Sequence, residues 1–416
     1  MMVKLEELIA ELCPDGVEYK KLGEITVDIY RGSGITRDQV TETGIPCVRY
    51  GEIYTTYGIW FEKCVSYTDE SAISNRKYFE HGDILFAITG ESVEEIAKSC
   101  AYIGHEKCLA GGDIVVLKHG QNPKYLAYAL STAEAQRQKS QGKVKSKVVH
   151  SSVPAIKDIK IPVPPLPVQS EIVQILDNFT ELTAELTAEL TARKKQYEYY
   201  RDKLLNFDVR EREASDCKWR ALRDVVKNCC SGGTPKKGNN DYYESGTIPW
   251  IRTQDVHFNE IHKVDTFITE KAVKETSAKW IPENCVIVAI SGASAGRCAI
   301  NKIRATTNQH CLNMEIDPSQ ALYKFVYYCV CSKYQELLAK KQGARGDLNS
   351  SLILETEIPI PSLSIQQRIV DILDRFDVLC NDLTSGLPAE IEARQKQYEY
   401  YRDKLLTFKE HAHEPL

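Results

Sequence analysis

A chain of 416 residues with 43% apolar and 27% charged side chains is too long for one core and suits two domains of about 150 residues plus connectors. Its 58 acidic and 53 basic residues leave a net charge of −5, so charge alone does not announce a partner of nucleic acid. The longest apolar runs, such as Cys285 to Ile290, are far short of the roughly 20 residues of a membrane helix, and the charged opening MMVKLEELIAEL has no signal-peptide core, which predicts a cytoplasmic protein.

The 14 cysteines form no pair of CxxC motifs: Cys229 and Cys230 are adjacent, and Cys329 and Cys331 are one residue apart. Neither zinc spacing nor a disulfide framework is visible, and reduced thiols serving as small core residues are expected. No P-loop occurs, and His81, His257 and His310 lack ligand spacing. Asn122-Pro123-Lys124-Tyr125 lacks the second proline of an adenine methyltransferase motif and, with Asp317-Pro318 in the second half, reads as an Asx cap with Pro at the first helical position. Pro14-Asp15 and Glu18-Tyr19-Lys20 lie too close together for the strands of a nuclease metal site, and Pro-Asp-Gly predicts a turn.

In chain order, the elements occur twice. Strand candidates Lys21 to Ile25 and Ala221 to Val225 each lead into a Gly-containing loop, the second being Ser231-Gly232-Gly233-Thr234-Pro235-Lys236. Ile45 to Arg49 (IPCVR) and Ile248 to Arg252 (IPWIR) follow, then the apolar strands Asp83 to Gly90 and Cys285 to Gly292. Helix candidates Pro123 to Gln141 and Pro318 to Gln342 come next, then the proline-rich exits IPVPPLPVQSEIVQILD (Ile161 to Asp177) and IPIPSLSIQQRIVDILD (Ile358 to Asp374).

Each exit opens a long helix. Apolar residues at Ile172, Ile175, Phe179, Leu182, Leu186, Leu190, Tyr197, Tyr200, Leu204 and Phe207 advance mainly by alternating threes and fours, the spacing of a coiled coil. The second helix follows through Ile369, Ile372, Phe376, Leu379, Leu383, Leu387, Ile391, Tyr398, Tyr401, Leu405 and Phe408, and its Thr384 to Pro388 segment predicts a kink or break with Ser385 as a cap. A helix from Leu166 to Asn206 would be about 60 Å long. It contains the tandem units Thr183-Ala184-Glu185-Leu186 and Thr187-Ala188-Glu189-Leu190. One such unit turns a helix by about 400° and advances it by about 6 Å, so units can be added or removed with the seam kept within about 40°. The helices end in near-identical tails, Ala192 to Phe207 and Ala393 to Phe408, which share 14 of 16 residues.

Two β-rich units ended by these exits, the TAEL units and the paired QYEYYRDKLL tails together resemble the DNA-specificity subunit of type I restriction-modification systems, over nearly the whole chain. The resemblance implies an α+β fold of two target-recognition domains separated by two long helices that pair as an antiparallel coiled coil with pseudo-twofold symmetry. Expected boundaries are 1–164 and 209–361 for the domains, 165–208 and 362–408 for the helices, and 409–416 for a tail. It also implies a non-catalytic chain reading a bipartite, asymmetric site in double-stranded DNA, with a methyltransferase subunit docked on each half and restriction-translocase subunits completing the complex. S-adenosylmethionine, ATP and Mg belong to those partners, and none is expected on this chain. The competing expectation, supported by the acidic net charge, is a coiled-coil scaffold that joins two protein partners and binds no DNA.

The DNA-facing candidates are Arg31, Ser33 and Arg37 in the first opening loop and Thr234, Lys236, Lys237, Asn239 and Asn240 in the second. Arg252, Gln254, Arg297 and Gln309 are added because Arg and Gln can make two hydrogen bonds to one base edge. A basic run of Arg137, Lys139, Lys143, Lys145 and Lys147 corresponds to Lys333, Lys340, Lys341 and Arg345, a placement suited to phosphates. Consecutive tyrosines cannot all face one seam, so Tyr197, Tyr199, Tyr200, Tyr398, Tyr400 and Tyr401 are candidates for partner binding.

Overall fold

The computed structural model describes residues 2–141, 148–207, 217–340, 347–382 and 385–411. Two compact units emerge, one of Met1–Thr187 with Glu390–Leu416 and the other of Ala188–Ala389. The C-terminal helix therefore belongs to the first unit.

Both units are built on the same sheet. In the first, Thr26–Arg31, Ile114–His119, Ile84–Ala87, Ser99–Tyr102 and Trp60–Phe61 are neighbours in that order, all antiparallel except the last pair. In the second, Val226–Ser231, Cys311–Ile316, Val286–Ala289, Cys298–Asn301 and Asn259–Ile261 repeat the order and the directions. The central strands are apolar at every position because both faces are covered. Ile84 and Phe86 enter the core shared with the helices, while Leu85 and Ala87 enter a separate cluster with Phe61, Phe79 and Tyr102. Val286 and Val288 likewise face the helices of the second unit, and Ile287 and Ala289 face away. A smaller sheet in each unit carries the Ile-Pro strand, Ile45–Val48 or Ile248–Ile251, parallel to Cys108–Ala110 or Ala305–Thr307.

Helices α1 (Met2–Leu12), α2 (Pro123–Leu130), α3 (Ala133–Ser140) and α4 (Leu166–Leu205) lie in the first half of the chain. The second half supplies α5 (Tyr323–Ser332), α6 (Tyr334–Ala339), α7 (Leu363–Asn381) and α8 (Leu387–Leu405). The single helix expected from Pro123 to Gln141 is two, because the Thr132 hydroxyl caps a new start by accepting from the Ala135 N–H at 3.3 Å. Asn122 caps α2 as expected, accepting from the Tyr125 N–H at 3.2 Å. Asp317 does not cap a helix: it closes an Asx turn on Ser319 (2.9 Å), and α5 begins only at Tyr323. The second long helix breaks between Asn381 and Leu387. The helix restarts at Leu387, which puts Gly386 and not Ser385 at the cap position, and the Ser385 hydroxyl donates to Asp382 at 2.5 Å. Leu383 and Thr384 lie outside the described residues.

The exit motif is the joint between sheet and helix. Gln169, fully buried, accepts from the Asn122 N–H (3.0 Å) and donates to Gln121 Oε1 and Pro164 O (both 2.7 Å). Gln366 repeats this, accepting from the Leu322 N–H (2.9 Å) and donating to Pro361 O (2.8 Å). Two turns on, Asp177 accepts from Lys124 Nζ and the Tyr128 hydroxyl, both at 2.7 Å. Asp374 accepts from Lys324 Nζ (2.8 Å) and the Tyr328 hydroxyl (2.6 Å). Each long helix is thus fixed to α2 or α5 by the same two polar side chains.

Within the first unit, α8 runs antiparallel to the start of α4. Phe179 stacks on Tyr401 with ring centroids 5.4 Å apart, and Phe408 is held by the hydroxyl of Tyr19, whose backbone pairs with Pro162. In the second unit Tyr197 and Tyr200 pack on Phe376 of α7 at 6.4 and 6.0 Å. The coiled-coil spacing places Ile369, Ile372 and Leu379 in this seam; Ile369 is buried there with Val370, Leu373 and Cys380, whereas Ile372 and Leu379 are exposed. The last described residues are sewn to the first domain, with the Val17 N–H donating to Lys409 O (2.9 Å) and the His411 N–H to Val17 O (3.1 Å).

Lys139, on α3, is buried among apolar residues, where Nζ donates to Leu130 O (2.7 Å) and Ser99 Oγ (3.3 Å). Burial lowers its pKa to about 7. Between that value and the ordinary lysine pKa of 10.5 the unfolded chain binds a proton that the folded chain lacks, so this residue makes stability rise with pH across the window. Below it both states are protonated and the burial penalty is felt in full. The stability of the native protein minus that of Lys139→Met should therefore climb between pH 7 and 9 in urea titrations; a constant difference would mean that the lysine stays charged when folded. At the joint, Gln366→Leu leaves a buried N–H and a buried carbonyl unpaired and should cost the second unit about 2–4 kcal/mol. A loss below about 0.5 kcal/mol in urea unfolding would show that water replaces the amide.

Candidate nucleic-acid interface

At one end of each unit the loops after four strands are tied together by the same backbone bonds. In the second unit the Gly233 N–H donates to Thr307 O, the Asn308 N–H to Ile251 O (both 2.9 Å), the Ile290 N–H to His310 O (2.8 Å) and the Leu348 N–H to Ile290 O (2.7 Å). In the first unit the matching bonds are Ser33 to Ala110 O (2.9 Å), Gly111 to Val48 O (2.8 Å), Ile88 to Asp113 O (3.0 Å) and Ser151 to Ile88 O (2.8 Å). This clamp gathers the opening loop, the turn after the Ile-Pro strand, and the loops near residues 290 and 310 in the second unit. In the first unit the equivalents lie near residues 88 and 112.

Most of the sequence candidates of the second unit fall on this end. Thr234 donates its hydroxyl to Gln309 Oε1, and Gln309 Nε2 in turn meets His310 Nε2 at 3.2 Å. The loop carrying Thr234 is braced from beneath, since Trp250 Nε1 donates to Gly233 O (3.1 Å) and the Tyr243 hydroxyl to Pro235 O (2.5 Å). Gly233 is required there, because a Cβ would overlap the backbone of Ser277 and Ala278. Lys236, Lys237 and Asn240 are exposed and Asn239 half-buried. Arg252 opens a short turn in which its N–H donates to Asp255 Oδ2 at 2.8 Å, with Gln254 exposed beside it. Arg297 meets His257 Nδ1 at 3.0 Å, so it reaches the same turn from the loop after Ile290.

The first unit keeps the frame and changes the side chains. Arg31 is exposed but engaged, donating Nε to Gly112 O (2.5 Å) and pairing with Asp113. Arg37 is exposed and has no ion pair among the described residues. Ser33 differs from the expectation of an exposed contact: it is buried, because its backbone bridges to Gly111, and its hydroxyl has no hydrogen-bond partner among the described residues.

Arg49 is the residue that sequence reasoning passed over. It occupies the place of Arg252, with its N–H donating to Glu52 Oε2 (3.1 Å) and Nε to Glu52 Oε1 (2.9 Å). The carboxylate holds one edge of the guanidinium and leaves the terminal nitrogens, the pair that suits two acceptors on one base. The signal was available, since IPCVR and IPWIR align arginine with arginine.

The basic run behaves differently from its sequence pattern. Lys139 is buried and cannot reach a phosphate, while Arg137 is exposed but pairs with Glu134 at 2.7 Å. Lys333 and Lys340 both pair with Glu336, at 3.1 and 2.6 Å. Lys143, Lys145, Lys147, Lys341 and Arg345 lie outside the described residues. Twelve of the 14 cysteines are buried free thiols, Cys229 is exposed, and the described residues contain no cluster of three or more His, Cys, Asp or Glu able to hold a metal.

The tyrosines of the tails sort into three pairs. Tyr398 is buried against Tyr128 (6.4 Å) and Tyr197 is half-buried in the second core, where burial pushes its hydroxyl pKa upward; both pack within their own unit. Tyr200 and Tyr401 stack on Phe376 and Phe179 and keep one edge open. Tyr199 and Tyr400 are 61% and 62% exposed, each with a lysine, Lys203 or Lys404, over its ring at 5.9 and 5.8 Å.

The pattern of the type I restriction modification DNA specificity domain matches residues 14–193 and again 214–393. The EcoR124I/EcoR124II specificity subunit of Escherichia coli is 42% identical over 263 residues, a stretch covering 61% of this chain and 63% of that relative, so the chain spans just under two thirds of its length. Among solved structures, one reported for complex assembly and conformational transition of the type I R-M system covers 94% of this chain and 97% of its own, at 15% identity and a TM-score of 0.65. The S subunit from M. genitalium covers 94% and 96%, at 15% identity and a TM-score of 0.55, and both likenesses speak for the fold. No helix among the described residues is long and apolar enough to cross a membrane. With both halves matched over most of their length, the chain belongs to the type I restriction-modification DNA-specificity family.

Proposed function

We propose that each unit reads one half of a bipartite, asymmetric site in double-stranded DNA, and that the chain performs no catalysis itself. The observation that carries this reading is the pair of identical clamps bearing unlike side chains. Where the second unit presents Asn308, Gln309 and His310, the first has Gly111, Gly112 and Asp113, while Arg49 and Arg252 keep the same place. A common frame with different donors and acceptors suits two different half-sites read in the major groove. The acidic net charge is no obstacle, since the opening loop of the second unit, Gly232 to Asn240, holds Lys236 and Lys237 and no acid.

The long helices set the unread gap in this proposal, with TAEL units as increments of length. A methyltransferase subunit docks on each half, flips one adenine per half-site out of the duplex and methylates its N6 atom with S-adenosylmethionine. ATP and Mg serve the restriction-translocase subunits. Mapping N6-methyladenine in cells expressing the chain with its methyltransferase should reveal one split motif. Removing Thr187 to Leu190 should alter the gap by about one or two base pairs while leaving both half-sites unchanged. Methylation independent of the chain would instead support a scaffold joining two proteins without touching DNA.

Tyr199 and Tyr400 are the residues proposed to hold the two methyltransferase copies, because they are exposed at equivalent positions of near-identical tails. The double variant Tyr199→Ala/Tyr400→Ala should keep its melting profile and lose methyltransferase in co-purification. Unchanged co-purification would place the docking surface elsewhere.

A further inference from the structure

The smaller sheets repeat a second feature, away from the loop tips. Each ends at a short edge strand, Tyr78–Phe79 in the first unit and Trp280–Ile281 in the second, antiparallel to Cys108–Ala110 or Ala305–Thr307. Tyr78 lies opposite Leu109 and Trp280 opposite Thr306, so the two aromatics hold the same place. Two residues before each of those partners stands a cation, which alternation along the strand puts on the aromatic's own face. Lys107 Nζ lies 4.0 Å from the centre of the Tyr78 ring, and the Arg304 guanidinium carbon 4.6 Å from that of Trp280.

This face also carries the opening loop. Leu109 is in register with Cys47, and the two are buried together with Ile35 of the loop and Tyr78 packed against them. Thr306 is in register with Trp250, whose Nε1 holds Gly233 O. The stacked cation therefore stands on the loop's side of the sheet in each unit. Its charge is left unspent: Lys107 and Arg304 are exposed, and neither forms an ion pair among the described residues. Glu70 accepts from the Tyr78 hydroxyl, Glu80 pairs with Lys118 at 2.7 Å, and Glu283 lines the cleft of Trp280 and Arg304 beyond ion-pair reach.

Between the units the loops exchange Gly111, Gly112 and Asp113 for Asn308, Gln309 and His310, whereas this pair changes only Tyr to Trp and Lys to Arg. Two unlike half-sites have the phosphate backbone in common. Stacking at an exposed edge is worth about 0.5–1 kcal/mol, and it fixes a cation in place without neutralising it. We propose that Lys107 and Arg304 each hold one backbone phosphate beside the half-site of their own unit, positioned by Tyr78 and Trp280, and add affinity without selecting a base. Lys107 would act as a point charge and Arg304 as a fork of two donors. This contact presupposes the DNA reading above and lies outside the loops that reading invokes.

The test is equilibrium binding by the complex of the chain with its methyltransferase, from about 50 to 300 mM salt, to a duplex carrying the mapped motif and to one with both half-sites scrambled. Lys107→Gln and Arg304→Gln should each weaken binding about three- to tenfold near ~150 mM salt, equally on both duplexes, and lower the slope of log affinity against log salt by about 1. The double variant should lower it by about 2, while Arg304→Lys should keep the slope. The mapped motif and the melting profile should stay unchanged, both side chains being exposed. A native complex that binds neither duplex would remove the DNA reading and this contact together. Native binding with slopes unaltered in the variants would overturn the phosphate contact alone. So would relaxation at one base of the motif, which would make the cation a base reader, or loss of the methyltransferase in co-purification, which would assign the face to a protein partner.

Discussion

Everything in this protein hangs from a buried glutamine at the foot of each long helix. Gln169 and Gln366 lie buried where the proline-rich strand exit turns into helix, a place with orphan backbone groups. One amide satisfies both an N–H and a carbonyl there, so the helix cannot rotate or slide without unpairing them. Asp177 and Asp374 repeat the constraint two turns later through a lysine and a tyrosine hydroxyl. Recognition domain and helix are thereby one rigid piece in each unit, which is what a protein needs if a helix is to determine where a loop is presented.

Rigidity at the joint allows variation at the far end. The loops of the candidate interface are held by backbone bonds, which do not depend on side-chain identity, so the residues they present can change without loss of the frame. Arg49 and Arg252 are the exceptions, kept in place by Glu52 and Asp255. A clamp made of main chain with variable side chains is a general way to obtain different readers from one fold.

The duplication is imperfect in ways that follow from chain connectivity. Helix α1 covers the base of α4, while the base of α7 keeps the same aliphatic row exposed. The charge at its centre is reversed, from Glu171 to Arg368. Likewise the tail of α8 is held by Val17 and Tyr19, whereas α4 continues along the chain toward the second domain. Two units of one ancestry thus differ where covalent connection replaces docking.

The sequence alone determined the duplication, the apolar strands, the proline-rich exits and the Tyr-rich tails, because each is a local pattern repeated at nearly fixed spacing. It also placed Thr234, Arg252, Arg297 and Gln309 among the candidates, since those residue types in loops after strands suit base edges. Tertiary structure decided the rest. Lys139 sits in a run of cations that reads as a phosphate-binding surface, and it is buried because α3 packs that face on the sheet; spacing along the chain cannot say which side of a short polar helix is covered. Ile372 and Leu379 fit the coiled-coil repeat and are nonetheless exposed, because a period of three and four is compatible with two adjacent stripes and only the partner helix selects one. Tyr199 and Tyr200 are neighbours in sequence, but Phe376 stacks on one and leaves the other to solvent. Burial is a property of what lies opposite, and what lies opposite is fixed by contacts between residues up to several hundred positions apart, such as Tyr19 and Phe408.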